Sequence, residues 1–171
     1  MIISLRRFSY DDLVGQLSKD DKIIIFTCNV CIKFCDIGGR TRAHQLAEKL
    51  RSDGYNVIRE ENIGAACILD LVEKRKTDAA TAKAFEEATV ILPLTCEDGF
   101  DNISYAFPNA KVISVTKTVG IGVFSTDKGM TLTVPFETTG LGINIDGYPL
   151  SEVAEKLGCY AGPYFDGNAK P

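Results

Sequence analysis

Six cysteines stand in this 171-residue chain, and three of them, Cys28, Cys31 and Cys35, fall within the eight-residue segment CNVCIKFC. A C-x2-C-x3-C array lets one loop fold three thiolates around a single metal centre. The C-x2-C pair alone serves zinc knuckles, redox dithiols and iron–sulfur sites alike, and the third cysteine favours a metal over a dithiol. The array lacks the four-cysteine run of bacterial ferredoxins, so a fourth ligand must come from elsewhere in the chain. Cys67 in GAACIL and Cys96 in LTCEDG are the candidates, whereas Cys159 has no neighbour at ligand spacing. Four thiolates suit zinc as well as a [4Fe–4S] cluster.

These cysteines meet only if the fold brings them together. KIIIFT (22–27), YNVI (55–58), VILPL (90–94) and residues 111–115 are short apolar runs of the kind that form strands buried on both faces. Pro93 is awkward inside its run and belongs near the strand end. Ser9 and Asp12 form a capping box ahead of Leu13 and Leu17, making a helix the first element. Helical periodicity predicts further helices over 41–52, 66–75, 78–88 and 101–107, with Gly54 as the stop of the first of these. The alternation predicts an α/β fold over residues 1–118, a Rossmann-like or flavodoxin-like parallel sheet with flanking helices. Residues 119–171 read as a Gly-rich extension packed on it. VFSTDKGMTLTV makes a hairpin around Asp127-Lys128-Gly129, LSEVAEKL (150–157) is a helix with Ser151 as candidate cap, and FDGNAKP (165–171) is frayed.

In an open parallel sheet the ligand crevice lies beyond the carboxyl ends of the strands. Cys28 and Cys96 leave such ends and Cys67 follows another, so five cysteines converge there if the strand order keeps those strands adjacent. Cys67, near the first turn of a helix, ranks ahead of Cys96 as fourth ligand. The helix dipole and free amides there stabilise a thiolate by about 0.3–1 kcal/mol. Cys96 is expected to line the same pocket.

Other functions find less support. Nineteen basic against twenty-three acidic residues give a net charge of −4, which argues against a nucleic-acid or anionic-membrane footprint. No apolar run reaches membrane-spanning length and no signal-peptide pattern opens the chain, so the expected location is cytoplasmic. There is no G-x-S-x-G and no P-loop. His44, the one histidine, falls off the apolar stripe of its helix and reads as an exposed polar residue, and Arg40, Arg42 and Lys49 read as a solvated face. Gly38-Gly39 is the candidate cofactor-binding pair, since glycines before a helix let amides approach an anion. It lacks dinucleotide spacing, and its plainer role is a tight turn returning Cys35 to the sheet. No catalytic residue is assigned. An enzyme built on a reactive thiol is the remaining class, and it would have to activate its cysteine without a histidine.

TCNVCIKFCDIGG after a buried strand, GAACIL after the second, LTCEDG after the third and AFPNAKVISVTKTVGIG closing the segment resemble a known family. It is the N-terminal domain of the zinc- or iron–sulfur-containing partner subunit of acetogen-type methylenetetrahydrofolate reductase, also called the C-terminal domain of that reductase where it is fused behind the flavin barrel. The resemblance runs from about Lys22 to Gly129 and places Cys28, Cys31, Cys35, Cys67 and Cys96 on the family's cysteine positions. It implies a small subunit carrying one metal centre and partnering a methylenetetrahydrofolate reductase-like flavoprotein in one-carbon metabolism. Apart from the resemblance, a homo-oligomer is a further expected form. The flavin and folate sites belong to the barrel subunit. The second cysteine-rich, ferredoxin-like region of longer members has no counterpart after Cys96.

Overall fold

Three consecutive isoleucines followed by phenylalanine can be buried on both sides of a strand only where each face has a cover. A computed structural model describes residues 1–165. The chain runs β1 (Ile2–Arg6), α1 (Tyr10–Val14), β2 (Lys22–Cys28), α2 (Cys31–Phe34), α3 (Gly39–Ser52) and β3 (Asn56–Ile63). It continues through α4 (Leu69–Thr77), α5 (Ala82–Glu87), β4 (Val90–Leu94), α6 (Glu97–Ala106), β5 (Lys111–Val112), β6 (Thr116–Ser125), β7 (Gly129–Pro135), β8 (Tyr148–Pro149) and α7 (Leu150–Leu157).

β2 lies inside a parallel sheet of order β3-β2-β4-β5. Leu13 of α1 and Ala43, Leu46, Ala47 and Leu50 of α3 cover Ile23 and Ile25. Val72 of α4, Phe85 of α5 and Ile103 of α6 cover Ile24 and Phe26 on the other face. The fold is α/β, a parallel sheet flanked by helices. The chain leaves β2 for β3 on one side and returns past it to β4 on the other. This reversal is the topological switch point of a flavodoxin-like order. β5 pairs only with Val90 and Ile91, so Pro93 sits where that side of β4 has no neighbour.

A second, antiparallel sheet has the order β1-β6-β7-β8 and contributes Ile3, Leu5, Val119 and Leu132 to the core shared with Ile24 and Phe26. The first element is therefore a strand and not the helix after Ser9. IISLR has no local turn signal, and its partner is remote, Arg6 pairing with Thr116. Because β1 and β6 join, this sheet draws on both ends of the chain, and position 118/119 falls inside β6.

Local signals otherwise act as their chemistry dictates. Ser9 and Asp12 form the capping box of α1, and Gly54 follows α3 at φ +83°. The hairpin forms as β6 and β7. Ser151 is not a cap: α7 begins one residue earlier, after Pro149. Of the segment expected to fray, only Phe165 lies within the described residues, and it packs at the edge of the core. Among the described residues no helix is long and apolar enough to cross a membrane. Leu5 is fully buried between the two sheets. Leu5→Ala is expected to lower stability by about 2–5 kcal/mol in urea unfolding, and a loss under 1 kcal/mol would show that β1 is not part of the cooperative core.

Candidate metal centre

The strand order answers the condition on which convergence depends. β2 lies between β3 and β4, so Cys28 at the end of β2 stands between the Cys67 loop after β3 and Cys96 after β4. Cys31 opens the one-turn helix α2 and Cys35 closes it, its amide donating to the Cys31 carbonyl at 3.1 Å. Asp36 then takes φ +59°, the left-handed turn that reverses the chain, and Arg42 grips its carboxylate with two bonds of 2.8 and 2.9 Å. Cys28, Cys35 and Cys96 are buried, Cys31 is half-buried and Cys67 is exposed, and all are free thiols.

Polar ties fix the three strand ends together. Thr27 Oγ1 donates to the Leu94 carbonyl of β4 at 3.1 Å and accepts from the Gly39 amide at 2.8 Å. Asn102 of α6 donates to the Ala66 carbonyl at 2.9 Å and so pins the loop that carries Cys67. A side chain at Gly99 would approach the Ala66 Cβ to 2.8 Å, so that loop and the first turn of α6 pack at glycine distance. Two further anchors, Ser4 and Thr118, come from the second sheet. Ser4 N donates to Cys35 Sγ at 3.5 Å, and Thr118 Oγ1 accepts from the amide of Glu97, next to Cys96, at 3.0 Å. Sequence reasoning misses both, because they reach the cysteines through β1–β6 pairing and no local motif marks them.

The thiols sense one another. Burial pushes the Cys35 thiol up to about 11, with nearby Cys31 and Cys96 acting in the same direction and the Ser4 amide against it. Cys96 also rises to about 11 through burial, reinforced by Asp98, Cys28 and Cys67, while the Gly99 amide works the other way. Cys67 is raised by burial and by Cys28, Asp98 and Cys31. Five sulfurs thus share one neighbourhood. Among the described residues no three of them lie within 4.8 Å of one another. Thiolates around a single tetrahedral zinc would stand about 3.8 Å apart. Thiolates of a cluster, spread over separate iron atoms, would stand farther apart, and cysteine sulfur serves either group.

The helix N-terminus belongs to Cys96, which is the N-cap of the ten-residue α6, whereas Cys67 lies two residues before α4. The dipole argument that ranked Cys67 first therefore favours Cys96.

Gly38-Gly39 acts through packing. A Cβ on Gly38 would stand 2.7 Å from Ile32 Cγ2 and 2.9 Å from the Leu94 carbonyl, and Gly39 holds φ +82°. This is the tight turn that sets α3 on the ends of β2 and β4. His44 is exposed, as its helical position suggests, yet its ring lies 3.0 Å from Glu60 and groups with Glu48 and Glu60. Arg51 already neutralises both carboxylates, at 2.9 Å from Glu48 and 2.7 Å from Glu60. Comparison with protein-family models, with curated proteins and with solved structures finds no match.

The raised thiols make the metal-free fold sensitive to alkali. Cys35 and Cys96 keep their protons to higher pH when folded than when unfolded, so their contribution is present below about pH 9 and lost as the pH climbs towards 11. The melting temperature of metal-free protein is expected to fall across that window. Alkylation at pH 8 should reach Cys67 first and Cys35 and Cys96 last, with the reverse order counting against this packing.

Proposed function

We propose that this chain is a small accessory subunit carrying one metal centre, a [4Fe–4S] cluster, that passes electrons to or from a methylenetetrahydrofolate reductase-like flavoprotein in the cytoplasm. The observation that carries the reading is the convergence of Cys28, Cys31, Cys35, Cys67 and Cys96 at the switch point of the parallel sheet. Cys28, Cys31, Cys35 and Cys96 would hold the cluster, with Cys67 at its mouth. When bound, such a group supplies one-electron chemistry, its potential set by burial and by hydrogen bonds to the sulfurs. This chain's own part is to hold the thiolates, exclude water with Ile32, Ile63 and Ala66, and offer an edge at which a partner can approach.

That edge is apolar. Val30 precedes α2 and Phe34 ends it, Ile68 follows Cys67, and Phe124 packs edge-to-face on Phe34 at 5.5 Å, all four about half exposed. Exposed apolar groups beside a centre support docking of a partner there. The assignment of that partner rests on the family resemblance.

A zinc-binding interaction module is the second reading, favoured by the depth of Cys28, Cys35 and Cys96, since a closed zinc site fastens a loop and contributes folding energy without redox chemistry. Metal analysis separates the two. Protein purified without oxygen is expected to hold about four iron and four acid-labile sulfide per chain, the content of one such cluster. Cys96→Ser should abolish the iron and Cys67→Ser should retain most of it. One zinc per chain with no iron would overturn the electron-transfer role.

A further inference from the structure

β1 is the edge strand of the second sheet, and the way its open side is closed links that sheet to the cysteines. Met1 exchanges both its backbone bonds with Gly122, so by the alternation of an antiparallel ladder Ile2, Ser4 and Arg6 turn their backbone groups away from β6. Arg6 spends its pair on Tyr160, with bonds of 2.8 and 2.9 Å. The Ile2 carbonyl and Ser4 amide are met instead by one sulfur atom. Cys35 Sγ accepts from Ser4 N at 3.5 Å and faces Ile2 O at 3.8 Å.

The Ser4 side chain carries the link further. Its hydroxyl is 3.3 Å from Thr118 Oγ1, which in turn accepts from Glu97 N, the first amide of α6 after Cys96. Ser4 is 1% exposed and Thr118 7%, so two hydroxyls are buried where apolar residues of similar size would fit without a hydrogen-bonding requirement. The result is a continuous chain from the sulfur of Cys35 to the backbone beside Cys96.

We propose that Ser4 and Thr118 are positioning residues for the metal centre, the Ser4 amide donating to the Cys35 thiolate and the hydroxyl pair holding that amide and the cap of α6 in register. This rests on the reading that Cys35 and Cys96 are ligands. As a free thiol Cys35 can both accept from Ser4 and donate to Ile2. As a ligating thiolate it has lost its proton and keeps only the Ser4 donor. A donor at a ligand sulfur places positive charge beside the centre, favours the state holding the extra electron and raises the reduction potential.

The test uses the full chain loaded with cluster from iron and sulfide without oxygen. Ser4→Pro deletes the amide donor on the open side of an edge strand, where proline breaks no ladder bond, and Ser4→Ala keeps it. Thr118→Val removes the hydroxyl at nearly constant shape, and Thr118→Ser restores it. Ser4→Pro is expected to lower the midpoint potential by about 59 mV, a tenfold change in a one-electron equilibrium, and Ser4→Ala, which keeps the donor but breaks the hydroxyl pair, to lower it by clearly less. Thr118→Val should lose iron to a chelator about tenfold faster at unchanged secondary structure, and Thr118→Ser should recover wild-type retention. Should Ser4→Pro fail to fold, the Thr118 pair decides alone. Wild-type potential and retention in both Ser4→Pro and Thr118→Val, in a wild type that loads normally, would overturn the positioning role. A wild type that takes up no metal is a different result and overturns the centre itself.

Discussion

Everything at the candidate centre depends on β2 being paired on both sides, with β3 along one edge and β4 along the other. Parallel strands stand about 4.8 Å apart, so this ladder sets the spacing of the three chain exits that carry Cys28, Cys67 and Cys96. Had β4 paired outside β3, Cys28 and Cys96 would be separated by a full strand and the five thiols would not share surroundings. The ladder is driven by the buried run from Ile23 to Phe26, whose side chains alternate between two apolar clusters. Hydrophobic burial on both faces therefore positions polar chemistry at one end of the sheet.

Burial and charge oppose each other there. Cys35 and Cys96 are placed where desolvation disfavours a thiolate, yet metal ligation requires one. The structure offsets this with backbone donors, the Ser4 amide towards Cys35 and the Gly99 amide towards Cys96. A bound cation would supply the rest of the compensation. Without it the thiols stay protonated, and a site of neutral buried sulfhydryls can wait inside the fold with no unpaired charge.

The parallel sheet is legible from the chain because its strands are short continuous apolar runs separated by helical periods, and the capping box at Ser9 and the hairpin at Gly129 are local signals. The placement of Cys28, Cys67 and Cys96 at or after the ends of neighbouring strands is legible for the same reason, since it needs only strand ends and their order. β1 is not, because five residues without a turn beside them give no period, and pairing with β6 is a property of the whole chain. Ser4 and Thr118 are hidden by the same cause. The helix-terminus argument for ranking Cys67 over Cys96 rests on a boundary that lies elsewhere: α4 begins at Leu69 and α6 already at Glu97, and the dipole acts only within the first turn.

On the proposed reading, sulfur from Cys28, Cys31, Cys35 and Cys96, and nothing else in the chain, binds the metal. X-ray absorption at the metal edge of protein prepared without oxygen tests it directly. A first shell made only of sulfur is expected, at roughly 2.3 Å, with metal–metal scattering from a cluster behind it. A first shell of nitrogen and oxygen, such as His44, Glu48 and Glu60 would provide, would contradict it.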